Sequence, residues 1–161
     1  MAWSNSRIFR SFVEDLLINT GLTTFGGLDA DTVKVALYNN TITPDNDVSN
    51  TLSAYNASTS QWVTANEVFQ AGQWAQAGVA LTSQTVNAGT ADVVFFDAAD
   101  TASGSAATLS DVHGCLVYDD TVTSVADRGI CYNYFGGANS VTNGTFTVVW
   151  NANGIFRITL S

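Results

Sequence analysis

From Gly78 to Leu160 the chain is a succession of short apolar segments divided by turn residues, and no segment of helical period lies between them. That spacing excludes a parallel α/β sheet, whose strands alternate with helices. The segments expected as strands are Val79–Leu81, Thr85–Asn87, Ala91–Phe96, Val112–Tyr118 and Arg128–Phe135. Asp97–Ser110 and Asp119–Asp127 read as loops between them. Thr145–Asn151 and Ile155–Leu160 read as a closing hairpin over Asn153-Gly154, a dipeptide that tolerates two positive φ angles. Upstream, Val33, Val35 and Leu37 alternate with Thr32, Lys34 and Ala36, the pattern of a half-buried strand. The expected fold class is all-β: an antiparallel β-sandwich or jelly roll with an N-terminal α-helix.

The helix is read from Ile8, Phe9, Phe12, Val13, Leu16 and Leu17, which recur at three- and four-residue spacing. Ser4, Asn5 or Ser6 is expected to cap its start, Gly21 to end it, and Arg10 to pair with Glu14 one turn on. The chain therefore divides into a helical segment, 1–21, and a β-sandwich domain, 22–161. The apolar stripe either covers an open side of the domain or forms a docking arm. In the second case Trp3, Arg7, Arg10 and Phe12 contact a partner, and the β domain folds without residues 1–17. From Thr41 to Gln76 the pattern weakens into a long excursion carrying Leu52, Tyr55, Trp62, Val63, Val68, Phe69 and Trp74. Such excursions are contact surfaces or covers. Trp62 and Trp74 are read as packing or partner anchors, with stacking on sugar rings as the alternative.

Charge narrows the function classes. Five Lys and Arg stand against fourteen Asp and Glu, giving a formal net charge of −9, and only 12% of residues are charged. Too few cations are present for sequence-independent nucleic-acid binding or for docking on an anionic membrane. No apolar run approaches the roughly 20 residues that span a bilayer, and residues 1–7 show no signal-peptide core. Two cysteines make no disulfide framework. A symmetric loop after Tyr118 would set Cys115 opposite Cys131, so a bond is within reach, but reduced thiols are expected.

The search for chemistry finds little. His113 is the sole histidine and is read as structural or exposed. No nucleophile-elbow, zinc-spacing or phosphate-loop pattern occurs. Aspartates gather in loops as Asp29/Asp31, Asp45/Asp47, Asp97/Asp100 and Asp119/Asp120. Against the calcium-binding EF-hand loop, Asp45-Asn46-Asp47 fails, because Asn50 stands at the glycine position and Asn56 at the final glutamate. The aspartates are read as turn caps. No catalytic residue, metal site or cofactor is expected, and the chain is read as non-enzymatic.

Several segments together resemble a family of small structural proteins of tailed bacteriophages. They are Thr32-Val33-Lys34-Val35-Ala36-Leu37-Tyr38 with Thr43-Pro44-Asp45, then Gly78-Val79-Ala80-Leu81 with Thr85-Val86, and Phe95-Phe96-Asp97-Ala98-Ala99-Asp100. Leu116-Val117-Tyr118-Asp119-Asp120 and the closing stretch from Gly144 to Phe156 complete the series, the last being the most specific. The resemblance spans most of 32–160, excluding the N-terminal segment and 55–76. It implies a capsid decoration (cement) protein, a virion component on the capsid exterior made in the host cytoplasm. The implied partners are the major capsid protein and further copies of the chain, most simply in a trimer. Tail or head-fibre structural modules and carbohydrate-binding modules are the alternatives.

Overall fold

A computed structural model describes residues 3–18, 22–88 and 92–160. In chain order its elements are β1 (Arg7–Ile8), α1 (Arg10–Ile18), β2 (Val33–Tyr38), α2 (Asn50–Ser53), β3 (Glu67–Val68) and β4 (Val79–Ala80). There follow β5 (Thr85–Ala88), β6 (Val93–Asp97), β7 (Thr101–Ala102), β8 (Ala107–Asp119), β9 (Arg128–Gly144), β10 (Thr147–Val148) and β11 (Phe156–Thr159). The main sheet runs β1–β9–β8–β2–β3, with β4 also on β2; a second sheet runs β11–β6–β5, and β10 pairs β7. Every named strand pair is antiparallel. The molecule is thus mostly β, with antiparallel sheets and a small N-terminal helix, as the strand spacing implies.

Both faces of the main sheet are covered, which explains why β2 and the root of β8 are buried almost without interruption. The register sets Ala36, Tyr38, Leu116, Tyr118 and Tyr132 on one face. Onto it the long excursion lays Trp62, whose ring lies 5.1 Å from that of Tyr38 and 5.9 Å from that of Tyr132. Trp3 and Phe9 close around Trp62 at 5.9 and 6.1 Å, edge-on. The opposite face carries Val33, Val35, Leu37, Cys115, Val117 and Cys131, which share a core with Phe96 of β6 and with Ile155. The excursion therefore covers its own sheet, using α2, β3 and an isolated bridge between Gln70 and Trp74.

The N-terminal segment departs from the reading made of it. The helix begins at Arg10, and Arg7–Ile8 instead pair with Tyr132 and Cys131 as an edge strand. Ser6 and Asn5 cap nothing: the Ser6 hydroxyl accepts the Tyr134 N–H at 3.0 Å, and Asn5 accepts the Tyr132 hydroxyl at 3.3 Å. Arg10 pairs with Asp47 rather than Glu14. The expected cap Gly21 lies outside the described residues. Trp3, Phe9 and Phe12 are core residues, so the N-terminal segment shares one hydrophobic core with the sheet it packs on. Gly114 has the same origin, because a Cβ there would run into the Trp3 ring.

The closing hairpin is also replaced. Asn153-Gly154 does turn, with Gly154 at φ +91° and its N–H on the Asn151 carbonyl at 2.7 Å. The flanking strands then part to different partners, β10 to β7 and β11 to β6. The competing acceptor is the Phe96 carbonyl, which takes the Ile155 N–H at 2.8 Å. Strand β9 continues to Gly144, and β8 begins at Ala107 inside the expected loop, so the two form a long ribbon. Register shifts between Val112 and Gly114 and between Val117 and Tyr118 break the symmetric pairing. Cys115 then faces Asn133 and Cys131 faces Val117, and both cysteines are buried and unbonded.

One buried ion pair ties α1 to the root of β9: Arg128 Nη2 donates to Asp15 Oδ2 at 2.5 Å. Burial lowers the Arg128 pKa, and Asp15 opposes that shift. Removing one partner of such a pair costs about 3–5 kcal/mol, and truncating a core tryptophan about the same. Asp15→Ala and Trp3→Ala are each expected to lose stability on that scale in urea denaturation, and the chain lacking residues 1–17 is expected to show no cooperative transition.

Candidate functional site

Four of the six residues expected at a partner surface lie inside. Trp3 and Phe12 are in the core, Trp3 donating its indole N–H to the Asn39 carbonyl at 2.9 Å. Trp62 and Trp74 are 0% exposed, so neither can stack on a sugar ring or seat a partner. Trp74 meets Phe146 edge-on at 6.2 Å instead. Tryptophan's area rewards burial in the chain's own core as strongly as at an interface, and sequence does not separate the two. Arg7 and Arg10 remain exposed.

The accessible feature that Arg7 belongs to is a groove of about 430 Å³ between the edges of the two larger sheets. Ser6, Arg7, Ile8, Cys131 and Asn133 line it from the main sheet, and Ile155, Phe156 and Arg157 from the other side. It shares Ser6, Asn133 and Ile155 with a neighbouring hollow of about 340 Å³ that reaches Trp150. No carboxylate lines either hollow, although the chain carries fourteen. Of the five cations, Arg10 pairs with Asp47, Lys34 with Asp120 and Arg128 with Asp15. Among the described residues Arg7 and Arg157 have no acid partner, and both line this groove. Arg157 was missed because a single base near the end of a strand pattern carries no signal until the fold brings it beside Arg7.

A second exposed feature lies on the three-stranded sheet. Val86, Val94 and Ile158 fall on the Phe96 face, yet Val86 and Val94 remain 46% and 37% exposed, and Leu160 beyond them 60%. The face is buried at Phe96 and uncovered further along.

Apart from the half-exposed Asp127, the ionisable groups with shifted pKa values are buried in the fold. Glu67 accepts the Tyr55 hydroxyl at 2.8 Å, and burial raises its pKa. Tyr55 stacks on Tyr118 at 4.9 Å, and burial raises both tyrosines as well. Burial pushes the Cys131 thiol up to about 12 and raises Cys115 in the same direction. His113 sits 2.9 Å from Asp111 on the ribbon. Among the described residues no three metal-ligating side chains converge, and no helix is long and apolar enough to cross a membrane.

No family of known proteins, no characterised protein and no solved structure matches the chain.

Two carboxyls at the turn between β8 and β9 make stability depend on pH. Asp119 is fully buried, and its Oδ1 accepts the Thr121 and Val122 N–H groups at 2.8 and 3.3 Å. Burial, reinforced by Asp31, pushes its pKa up to about 6. Burial and Asp120 raise Asp127 to about 6, against the pull of Lys34. A carboxyl that holds its proton more tightly when folded stabilises the fold in its protonated form. Its contribution is full below about pH 4 and falls as pH rises through about 6. The double variant Asp119→Asn, Asp127→Asn is therefore expected to gain melting temperature relative to the parent as pH rises from about 4 to 6.5, and to gain no more above that. Thermal melts across pH 4–8 check this.

Proposed function

We propose that this chain is a non-enzymatic structural protein of a tailed-bacteriophage virion, acting as a capsid decoration protein on the outside of the head. Its partners on this reading are the major capsid protein and further copies of itself. The observation that carries the proposal is the uncovered apolar end of the three-stranded sheet at Val86, Val94 and Leu160. An acidic chain gains nothing by leaving such residues in water, and an apolar patch is the surface through which like-charged copies can still associate. The resemblance of the segments between Thr32 and Phe156 to small phage structural proteins supplies the setting. A tail or head-fibre module uses the same kind of surface and is the second reading. The carbohydrate-binding reading loses its stacking residues, since Trp62 and Trp74 are buried.

Immunogold labelling of intact particles tests the placement. Gold on the heads is expected; gold confined to tails or fibres transfers the protein to the second reading, and unlabelled particles overturn both.

Light scattering tests the assembly. A mass of three chains is expected for the isolated protein, falling to one chain when Val94→Glu and Leu160→Glu are combined. A single-chain mass for the parent overturns self-assembly in solution.

A further inference from the structure

The groove between the two sheet edges has features that the apolar patch does not share. Its two walls are β1 and β11, each the outermost strand of its sheet. Backbone direction follows from the hydrogen bonds that flank them. The Phe9 N–H donates to the Ile130 carbonyl at 3.0 Å, and Arg7 and Ile8 continue that register against Tyr132 and Cys131. Bonded and non-bonded pairs alternate in an antiparallel ladder, so Ile8 falls at a non-bonded pair and turns its N–H and C=O away from β9. On β11, the Leu160 N–H donates to the Asp92 carbonyl at 2.6 Å, in register with Ile158 opposite Val94. Arg157 therefore also falls at a non-bonded pair and turns its backbone groups away from β6. Ile8 and Arg157 both line the groove, so free peptide donors and acceptors lie on each side of it.

The side chains around those edges define what they admit. Ile8, Cys131, Ile155 and Phe156 provide apolar lining, and Arg7 and Arg157 provide positive charge that no acid of the described chain answers. We infer that this groove binds an extended acidic segment of a partner protein, which adds as a strand to a free edge, sets apolar side chains against the lining and gives its carboxylates to Arg7 and Arg157. Strand addition supplies affinity through the main chain, and the arginine pairs supply selectivity. A second copy is disfavoured as the occupant, because joining two copies edge to edge would set basic edge against basic edge. The inference rests on the reading of the chain as an assembly protein and names the chemistry of what it grips.

Amide chemical shifts of the full, isotopically labelled chain test it, with a capped heptapeptide alternating glutamate and valine as the probe. Saturable shifts are expected at Ile8, Cys131, Asn133, Phe156 and Arg157 at millimolar peptide. Combining Arg7→Glu with Arg157→Glu is expected to weaken binding about tenfold or more. Both positions are exposed, and an unchanged spectrum away from the groove shows that the variant is folded. The same peptide with lysine for glutamate is expected not to bind. Absence of shifts, shifts scattered away from the groove, or equal binding of the lysine peptide overturns the inference. So does concentration-dependent dimerisation through the same residues that the double variant abolishes, which would give the groove to a second copy. Particle labelling fails independently of this titration, so loss of the virion reading and loss of the groove assignment are told apart.

Discussion

The packing of Trp62 against the main sheet is the interaction on which the rest of the molecule depends. Its ring meets Tyr38 and Tyr132 from the sheet, and Trp3 and Phe9 from the N-terminal segment. One indole thus fastens two lengths of chain that have little regular structure of their own. Neither length could stay ordered on backbone pairing alone, since β1 and β3 contribute two residues each. Dispersion and area burial concentrated in a few aromatic rings offset the conformational entropy of ordering both. The buried Arg128–Asp15 pair acts beside this cluster, fixing where α1 meets β9.

The same arrangement leaves the surface features where they are. With the excursion folded down and the N-terminal segment drawn in, the root of the main sheet is covered on both faces. Two of the open features are peripheral to it: the distal end of the three-stranded sheet, and the trough between its edge and β1. The first presents exposed aliphatic side chains; the second carries two arginines in a strongly acidic chain. Two surfaces of different character suit contacts of two kinds, in keeping with the proposed role between further copies of the chain and a capsid.

Much of the fold was legible because period-two patterning survives wherever a strand is half buried. Val33–Leu37 shows it in sequence, but β2, the root of β8 and the start of β9 are buried almost throughout, and there short runs of β-branched, aliphatic and aromatic residues between turn residues mark the strands instead. The pattern failed at Ile8-Phe9, where a two-residue strand running into a helix mimics an extra helical turn. It failed again at 145–160, because a good turn dipeptide does not reveal whether its flanking strands pair with each other or with older neighbours in the sheet. For the surface the legibility was poorer. Arg7 could be singled out by the scarcity of bases, but Trp3, Phe12, Trp62 and Trp74 were drawn to the surface by reasoning that applies equally to a core. The groove itself is a product of long-range topology, joining residue 7 to residue 157, and local pattern contains no trace of it.

The ribbon of β8 and β9 has a mechanical consequence. Its register slips at several points between Ala107 and Gly114, and Gly136 and Gly137 take positive φ with no atom near enough to hinder them. Each slip removes ladder bonds that would resist bending, and the single slip beyond Gly114, between Val117 and Tyr118, lies where the aromatic layer packs on the sheet. Stiffness is therefore graded along one continuous pair of strands. Bending of the outer end is expected to concentrate near the two glycines rather than at Tyr118 and Arg128.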